Sequence, residues 1–261
     1  MNRFLKTAVS LVAALAVAPA AAIVNIEAVR HADLKPGVSG DVGMALNSIS
    51  SSSDEMRTRI NGRLDYIHAS SHSFAVARGA YNEVNDTIRR RGMLHLRHVQ
   101  TLADVVSPYE ARFNMELFGQ SARDDYSSLR KRSLLGAGLR VNRPFTDGFD
   151  HALGTALMSE WRQEIQADEK NNRNIGRGNF YLNLGAEIGD TVDTGFTGYF
   201  QPKLNEWGDF SAIGEFFVDK GLTEQLSLRF IAGVVHDSTP PPGDHSTREE
   251  YGFRLIYEFG R

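Results

Sequence analysis

The chain has 261 residues, no cysteine, 41% hydrophobic residues, 23% charged residues and a formal net charge of −3. The apolar fraction is too high for a disordered chain, and the lack of cysteine excludes disulfides, thiolate zinc sites and a cysteine nucleophile. The small net charge provides no overall attraction to nucleic acid, so no nucleic-acid partner is expected. The negative mean hydropathy is typical of a soluble protein, but the spacing of the apolar residues indicates otherwise.

Residues 1–22 have the composition of a secretory signal peptide. Arg3 and Lys6 precede an apolar run of alanine, valine and leucine, and the segment ends in alanines. The run is shorter than the roughly 20 residues that a membrane-spanning helix requires. We therefore expect export, cleavage after Ala22 and a periplasmic lead-in over 23–36.

From Gly37 onward, turn-type clusters separate segments of about 9–13 residues, a length that suits tilted strands crossing a bilayer. Twelve strands are predicted, over 38–48, 56–68, 73–82, 90–101, 109–120, 129–141, 151–163, 177–188, 192–203, 210–219, 225–236 and 250–259.

Within these segments, apolar and polar residues alternate with a period of two. Phe113, Met115 and Leu117, for example, alternate with Asn114 and Glu116. Successive side chains of a strand point to opposite faces, so each strand has one apolar and one ionic face. The charged residues of most segments keep to a single parity, which is unexpected for random placement.

Soluble and transmembrane barrels both show this alternation, but they bury opposite faces. Long strands, aromatic residues at strand ends and long odd-numbered connections favour the membrane. The longest connections, 164–176 and 238–249, are expected on the outer side, and the short ones, such as 69–72 and 189–191, on the other. The expected aromatic girdles contain Tyr66, Tyr81, Tyr109, Trp161, Tyr199, Trp207, Tyr251 and Phe259. The predicted fold is therefore all-β, a transmembrane antiparallel up-and-down β-barrel over 37–261.

Three segments carry a family resemblance. They are the lead-in IVNIEAVR, the central block HLRHVQ…YEARFNMELFGQSARDDYSSLRKRSLLGAGLR and the end LTEQLSLRFIAGVVHDSTPPPG…YGFRLIYEF. They resemble the salt-induced outer membrane protein family, domain of unknown function 481. The resemblance implies a porin-like outer-membrane β-barrel of Gram-negative bacteria with a relation to stress, and it implies no catalytic or ligand-binding residues.

The ionic face would line the interior of this barrel. An arginine-rich lumen favours anionic solutes, whereas a network of arginine–carboxylate pairs would close the path. Twelve strands lie between filled eight-stranded barrels and open porins of about sixteen strands, so we expect a narrow or closed lumen. The expected lumen-lining residues are Arg57, Arg59, Arg63, Arg97, Glu110, Arg112, Glu116, Arg132, Arg140, Glu160, Arg162, Arg229, Arg254 and Glu258.

His68, Ser70 and Asn82 offer an enzymatic alternative. Their spacing resembles that of outer-membrane phospholipase A, another twelve-stranded barrel, with histidine as base, serine as nucleophile and asparagine orienting the imidazole. A polar turn with a histidine near the interface explains the same residues. We therefore expect no enzyme activity and keep lipid hydrolysis as the alternative.

A proline-rich loop carries a second group of polar residues. It contains His236, Asp237, Asp244, His245 and Glu249, which are possible ligands of a divalent metal. Their spacing matches no ligand motif, so a solvated loop, no metal and no cofactor are expected. The remaining expectations are a monomer, contact with outer-membrane lipid, insertion by the barrel-assembly machinery, and a role as an envelope structural protein or a narrow, anion-leaning small-solute pore.

Overall fold

The computed structural model describes residues 36–50, 54–84, 87–105, 111–125, 127–146, 149–166 and 169–259. The expected signal peptide lies outside these ranges, as does the lead-in apart from Pro36. The described part forms twelve strands: β1 (Gly37–Ser50), β2 (Asp54–His68), β3 (Ser71–Val84), β4 (Thr87–Val105), β5 (Ala111–Asp124), β6 (Leu129–Thr146), β7 (Phe149–Gln166), β8 (Glu169–Ile188), β9 (Val192–Lys203), β10 (Glu206–Gly221), β11 (Leu226–Asp237) and β12 (Thr247–Phe259).

Each strand pairs antiparallel with the next along the chain, and β1 pairs with β12 to close the barrel. The closing register places Gly40 opposite Phe259 and Val42 opposite Tyr257. This ladder of three residue pairs, from Gly40 to Val42 on β1, joins the two end strands of the sheet, and lipid favours such a closed sheet. The predicted fold class is confirmed, and every predicted segment corresponds to one of the twelve strands.

The two faces of the strands differ as the period of two predicts. On β5, Phe113 and Leu117 are exposed on the outside, whereas Asn114 and Glu116 are buried inside. Leucines of β6 and β7, such as Leu135 and Leu157, also face outward. An apolar exterior around a charged interior is the reverse of a soluble protein, and it suits a barrel surrounded by lipid.

No helix in the described ranges is both long and apolar enough to cross a membrane.

Two expectations about the connections require revision. The expected connection 164–176 is wrong, because β7 continues to Gln166 and β8 begins at Glu169. Backbone pairing needs no hydrophobic alternation, so the mostly polar segment 164–176 extends the hairpin of β7 and β8. Ile165, for example, lies opposite Lys170. The connection expected over 238–249 is shorter, because β12 begins at Thr247. The connections at 69–70 and 189–191 are short, as predicted.

The aromatic girdle is confirmed in part. Tyr66, Trp161, Trp207, Tyr251 and Phe259 are exposed, and Tyr81 is half-buried. Tyr199 is wrong as a girdle residue, because it is buried inside the barrel and packs against Tyr181 with ring centroids 5.4 Å apart. It shares the parity of Asp193 and Lys203, so the alternation itself places it inward. Tyr109 lies outside the described residues.

Apolar residues also occupy parts of the interior. Phe74 and Val76 of β3 are buried together with Met93 of β4 and Ala122 of β5. A second buried cluster contains Phe118, Leu134, Ala156 and Met158. These side chains fill volume between the charged groups, so the interior is a mixed core.

Candidate functional site

The predicted lumen-lining residues occupy three kinds of position. Eight are buried inside the barrel: Arg63, Arg97, Glu116, Arg132, Arg140, Glu160, Arg162 and Arg229. Arg59 and Arg254 are half-buried. Arg112 lies near the end of the barrel where β5 begins, where its exposed side chain pairs with Asp104 at 2.8 Å. Glu110 lies outside the described residues, as do the side chains of Arg57 and Glu258.

The most deeply buried charges form one group, the Glu160 cluster, which consists of Glu160, Arg132, Arg162 and Arg177. Glu160 accepts hydrogen bonds from Arg132 Nε, from Arg162 Nε at 2.8 Å and from Arg177 Nε at 2.5 Å. The side chains of Glu160 and Arg177 have no exposed surface. Three neighbouring strands, β6 to β8, thus direct three guanidiniums to one carboxylate.

Two members of the cluster also contact carboxylates on strands farther around the barrel wall. Arg162 Nη1 lies 3.3 Å from Asp237 Oδ2 on β11, and Arg177 Nη2 lies 2.9 Å from Asp209 Oδ1 on β10. Arg132 Nη2 donates to Gln201 Oε1 on β9 at 3.4 Å. These contacts connect strands β6 to β11 inside the barrel through side chains that are largely buried.

A second group of buried charges surrounds Glu116, which lies in the interior of strand β5. Glu116 Oε2 accepts hydrogen bonds from Arg97 Nη1 at 3.3 Å and from the Tyr181 hydroxyl at 2.5 Å. Arg140 Nη1 lies 3.9 Å from Glu116 Oε1. The Arg97 guanidinium also lies over the rings of Phe118 and Tyr181. Aromatic faces and a shared carboxylate therefore hold the guanidiniums here.

The third group lies toward the end of the barrel where β1 begins. Arg63 contacts Asp65 through two nitrogens, each at 2.6 Å, and Asp65 also contacts His72 Nε2 at 2.7 Å. Arg229 of β11 forms an ion pair with Asp219 of β10 toward the same end of the barrel. Ion pairs therefore occur at several levels along the barrel axis.

The predicted set contained more arginines than carboxylates, but the buried interior is balanced. Among the described residues, seven buried arginines accompany seven buried carboxylates. The carboxylates absent from the predicted set are Asp41, Asp65, Asp124, Glu164 and Asp219, and the added arginine is Arg177. These residues share the parity of the inward face in their strands, so the alternation contains the signal that identifies them.

The segment 238–246, which we name the mouth loop, crosses one end of the barrel. Asp244 accepts hydrogen bonds from Ser127 Oγ at 2.6 Å and from Ser128 N at 3.3 Å. Ser127 and Ser128 connect β5 to β6, whereas the mouth loop connects β11 to β12, six strands away around a twelve-strand ring. The loop therefore spans the mouth from one side to the other, and Pro241 within it is buried.

A cavity of about 50 Å³ lies beneath the mouth loop. Its lining includes Arg132 and Arg162 of the Glu160 cluster together with Asp124, Asp237, Pro241 and Asp244. The cavity thus lies between the mouth loop and the Glu160 cluster.

The suggested metal ligands of the proline-rich loop have other contacts. Asp237 pairs with Arg162, Asp244 binds Ser127, and His236 Nδ1 lies 2.9 Å from Thr247 Oγ1. Within the described ranges, no three histidine, aspartate or glutamate side chains are grouped closely enough to hold a metal ion. The carboxylates of this loop anchor the mouth loop and its base.

The structure does not bring His68, Ser70 and Asn82 together. His68 stacks on Tyr66 outside the barrel, with ring centroids 6.2 Å apart, and Ser70 Oγ accepts a hydrogen bond from Gln100 Nε2 at 2.8 Å. Asn82 lies near the other end of β3, eleven residues beyond Ser71. At about 3.3 Å per residue, that separation is about 36 Å.

The fold and the interior together define a transmembrane β-barrel of the outer-membrane type with buried ion pairs in its interior. The family described as "Protein of unknown function, DUF481" matches residues 41–259, and the chain belongs to this family. No curated protein matches the chain.

Several solved barrels have a similar fold. The NanC porin is 11% identical, with 85% of this chain and 100% of that chain covered and a TM-score of 0.45. The KdgM porin in complex with disordered oligogalacturonate is 9% identical, with 85% and 99% covered and a TM-score of 0.45. The translocator domain of the autotransporter NalP from Neisseria meningitidis is 10% identical, with 85% and 87% covered and a TM-score of 0.43. Likeness at this level carries no argument about function.

Proposed function

We propose that this chain is a structural β-barrel of the Gram-negative outer membrane whose lumen is closed at rest. The observation that carries the proposal is the Glu160 cluster, whose side chains are almost fully buried and connect β6 with β10 and β11. A water-filled channel leaves its lining side chains exposed to solvent. The equal numbers of buried arginines and carboxylates support the same role, because each buried charge then has a possible partner.

In this role the chain is exported, loses residues 1–22 and is inserted as a monomer by the barrel-assembly machinery. Its apolar exterior supports outer-membrane lipid as the surrounding partner. The mouth loop faces the cell exterior, because an N-terminus on the periplasmic side places the connections after odd-numbered strands outside.

Conductance across planar lipid bilayers tests the closed state. Barrel insertion is first verified by the slower migration of unfolded protein after boiling. We expect no steady single-channel steps from the wild-type barrel. Stable steps at low voltage would overturn the proposal, because an ion path would then pass through the Glu160 cluster.

A narrow small-solute pore is the second candidate, and the mouth loop is the observation that favours it. Hydrogen bonds from Ser127 and Ser128 fasten the far side of this loop, and the Arg162–Asp237 pair connects its base to the cluster. A barrel with a purely structural role does not need a loop that spans its mouth. Movement of this loop would open the path above the cluster.

The double variant Asp237→Asn/Asp244→Asn separates the two candidates, since it weakens both attachments of the loop. A gated pore would then show small, frequent steps with weak anion preference, because the buried charges are balanced. Absence of conductance steps in the double variant supports the structural role. Asp190→Asn, in the exposed β8–β9 turn at the opposite end, is the matched control and should leave the record unchanged.

A further inference from the structure

Four cationic side chains are grouped on one side of the barrel wall, at the mouth-loop end. We name this group the basic patch, and it consists of Arg90, Arg123, Arg130 and Lys131. Arg123 and Lys131 lie directly opposite each other in the pairing of β5 with β6, and both are exposed. Arg90 is also exposed, and its carbonyl oxygen accepts a hydrogen bond from the Asp125 amide at 2.9 Å. The patch therefore extends from β4 to β6.

The patch contains more positive than negative charge. Asp125 is shared, because Arg123 Nε lies 3.0 Å and Arg130 Nη1 lies 3.6 Å from its Oδ1. Glu83 is a second carboxylate nearby, diagonal to Arg90 in the pairing of β3 with β4. Four cations thus accompany two carboxylates, and two of the cations face each other directly, which is unfavourable on a sheet. An anion between them would relieve this repulsion.

The depth of the patch in the membrane follows from its neighbours on the exterior. Ser133 of β6 lies opposite Trp161 of β7, whose exposed indole suits the membrane interface. Leu135, two residues from Ser133 on the same face, is 61% exposed and suits the hydrocarbon. Lys131 is two residues from Ser133 in the other direction, about 7 Å away. Since lipid headgroups occupy about 5–8 Å on each side of the hydrocarbon, Lys131 and its partner Arg123 lie at headgroup depth.

The side chains of the patch provide the donors that a phosphate requires. Residues directly opposite on antiparallel strands have Cβ atoms about 5 Å apart, so Arg123 and Lys131 can contact one phosphate together. The hydroxyls of Ser121 and Ser133 lie on the hydrocarbon side of them, 3.4 Å apart and exposed. They can donate to further oxygens of the same headgroup. Because these side chains point sideways from the barrel wall, they meet a lipid rather than a soluble polyanion.

We propose that the basic patch binds the phosphate of an anionic membrane lipid, with Arg123 and Lys131 on the phosphate oxygens and Ser121 and Ser133 beneath them. By the orientation proposed above, this lipid belongs to the outer leaflet. The site itself requires only that the barrel crosses a bilayer, so it does not depend on a closed or a conducting lumen.

Quenching of Trp161 fluorescence by brominated lipids measures this preference. Trp161 is diagonal to Lys131 in the pairing of β6 with β7, so the chains of a lipid bound at the patch lie beside it. The variant Trp207→Phe leaves Trp161 as the single tryptophan. We reconstitute it in phosphatidylcholine vesicles that contain a small fraction of brominated phosphatidate or of brominated phosphatidylcholine, whose choline offsets the phosphate charge. Phosphatidate should quench Trp161 at a several-fold lower mole fraction.

Removal of the two opposed cations should abolish most of this preference. In the Trp207→Phe background, Arg123→Gln/Lys131→Gln should weaken phosphatidate binding by about five-fold for each cation removed. The matched control is Lys170→Gln/Arg173→Gln, which makes the same charge change at exposed positions of β8 outside the patch. It should retain the preference. If the double variant at the patch fails to fold, Lys131→Gln alone leaves the Arg123–Asp125 pair in place and should lose about five-fold.

Three results would overturn the proposal. They are equal quenching by the two brominated lipids in Trp207→Phe, a preference that persists after both patch cations are removed, and displacement of phosphatidate by an equal concentration of inorganic phosphate, which would identify a site for free phosphate. Both leaflets of the vesicles contain the same lipids, so the result does not depend on which end of the barrel faces outward. Because conductance is not measured, failure here is distinct from failure of the closed state.

Discussion

The substitution Glu160→Gln tests the internal network most directly. It preserves the size of the side chain but removes the charge that three guanidiniums share. Arg162 and Arg177 retain Asp237 and Asp209, whereas Arg132 loses the one described carboxylate that it contacts. Removing one partner of a buried ion pair costs about 3–5 kcal/mol, and we expect the free energy of unfolding to fall by that amount.

Guanidinium-induced unfolding in lipid vesicles, followed by tryptophan fluorescence, measures this loss. Trp161 and Trp207 both lie on the exterior, so their emission reports the loss of contact with lipid. Glu169→Gln makes the same chemical change at an exposed position of β8, where an effect within about 0.5 kcal/mol is expected. Equal unfolding free energies for the two variants would refute the view that the cluster stabilises the barrel.

Three further predictions concern the exterior, the turns and the enzymatic alternative. Leu157→Arg places a cation on the exterior at the middle of β7, where the wild-type residue is 65% exposed. The substitution should lower the free energy of unfolding in the membrane by about 2–4 kcal/mol. Gel mobility should show less folded protein for this variant than for Leu157→Ala. Burial raises the pKa of Asp125, but hydrogen bonds from Arg123 and the Arg90 amide lower it by more, so the net pKa lies below its ordinary value. The carboxylate then stabilises the fold above the unfolded pKa of about 4 and loses this effect as the pH falls; Asp125→Asn should therefore destabilise the barrel at pH 7 more than at pH 3, and an equal effect at both would contradict the sign. Ser70→Ala should leave fatty-acid release from phospholipid vesicles at the background level of the wild type, because Asn82 lies at the far end of β3; hydrolysis by the wild type that Ser70→Ala abolishes would establish the hydrolase alternative.

The number of strands alone does not decide whether a barrel conducts. Barrel diameter grows with strand number, and twelve strands leave room for a channel only if the inward side chains are short or separated. Here the inward face contains long arginines together with Phe74, Phe118 and Tyr181. These side chains are buried, so they occupy interior volume that a channel of the same circumference would leave to water.

Most of the fold is predictable because a strand sorts its residues by parity. The alternation of Phe113, Met115 and Leu117 with Asn114 and Glu116 identifies the faces of β5 without any neighbour. Tyr199 shows that parity is stronger evidence than residue type, since its position in the alternation, and not its aromatic ring, determines where it lies. The extension of β7 and β8 has no such pattern, because backbone hydrogen bonds continue among polar residues.

The candidate site divides in the same way between sequence and tertiary structure. The sequence by itself determined that the chain forms a lipid-facing barrel and that residues such as Glu160 and Arg162 point inward, because the direction of a side chain depends only on its place in the strand. Only the tertiary structure decided that Arg162 meets Asp237, 75 residues away, and that Ser127 binds Asp244, 117 residues away. These contacts depend on barrel closure and on the register of every intervening strand pair, since those set which inward residues share a level along the axis. The same dependence explains why the sequence predicts an arginine-rich lumen, whereas the described residues contain equal numbers of buried arginines and buried carboxylates.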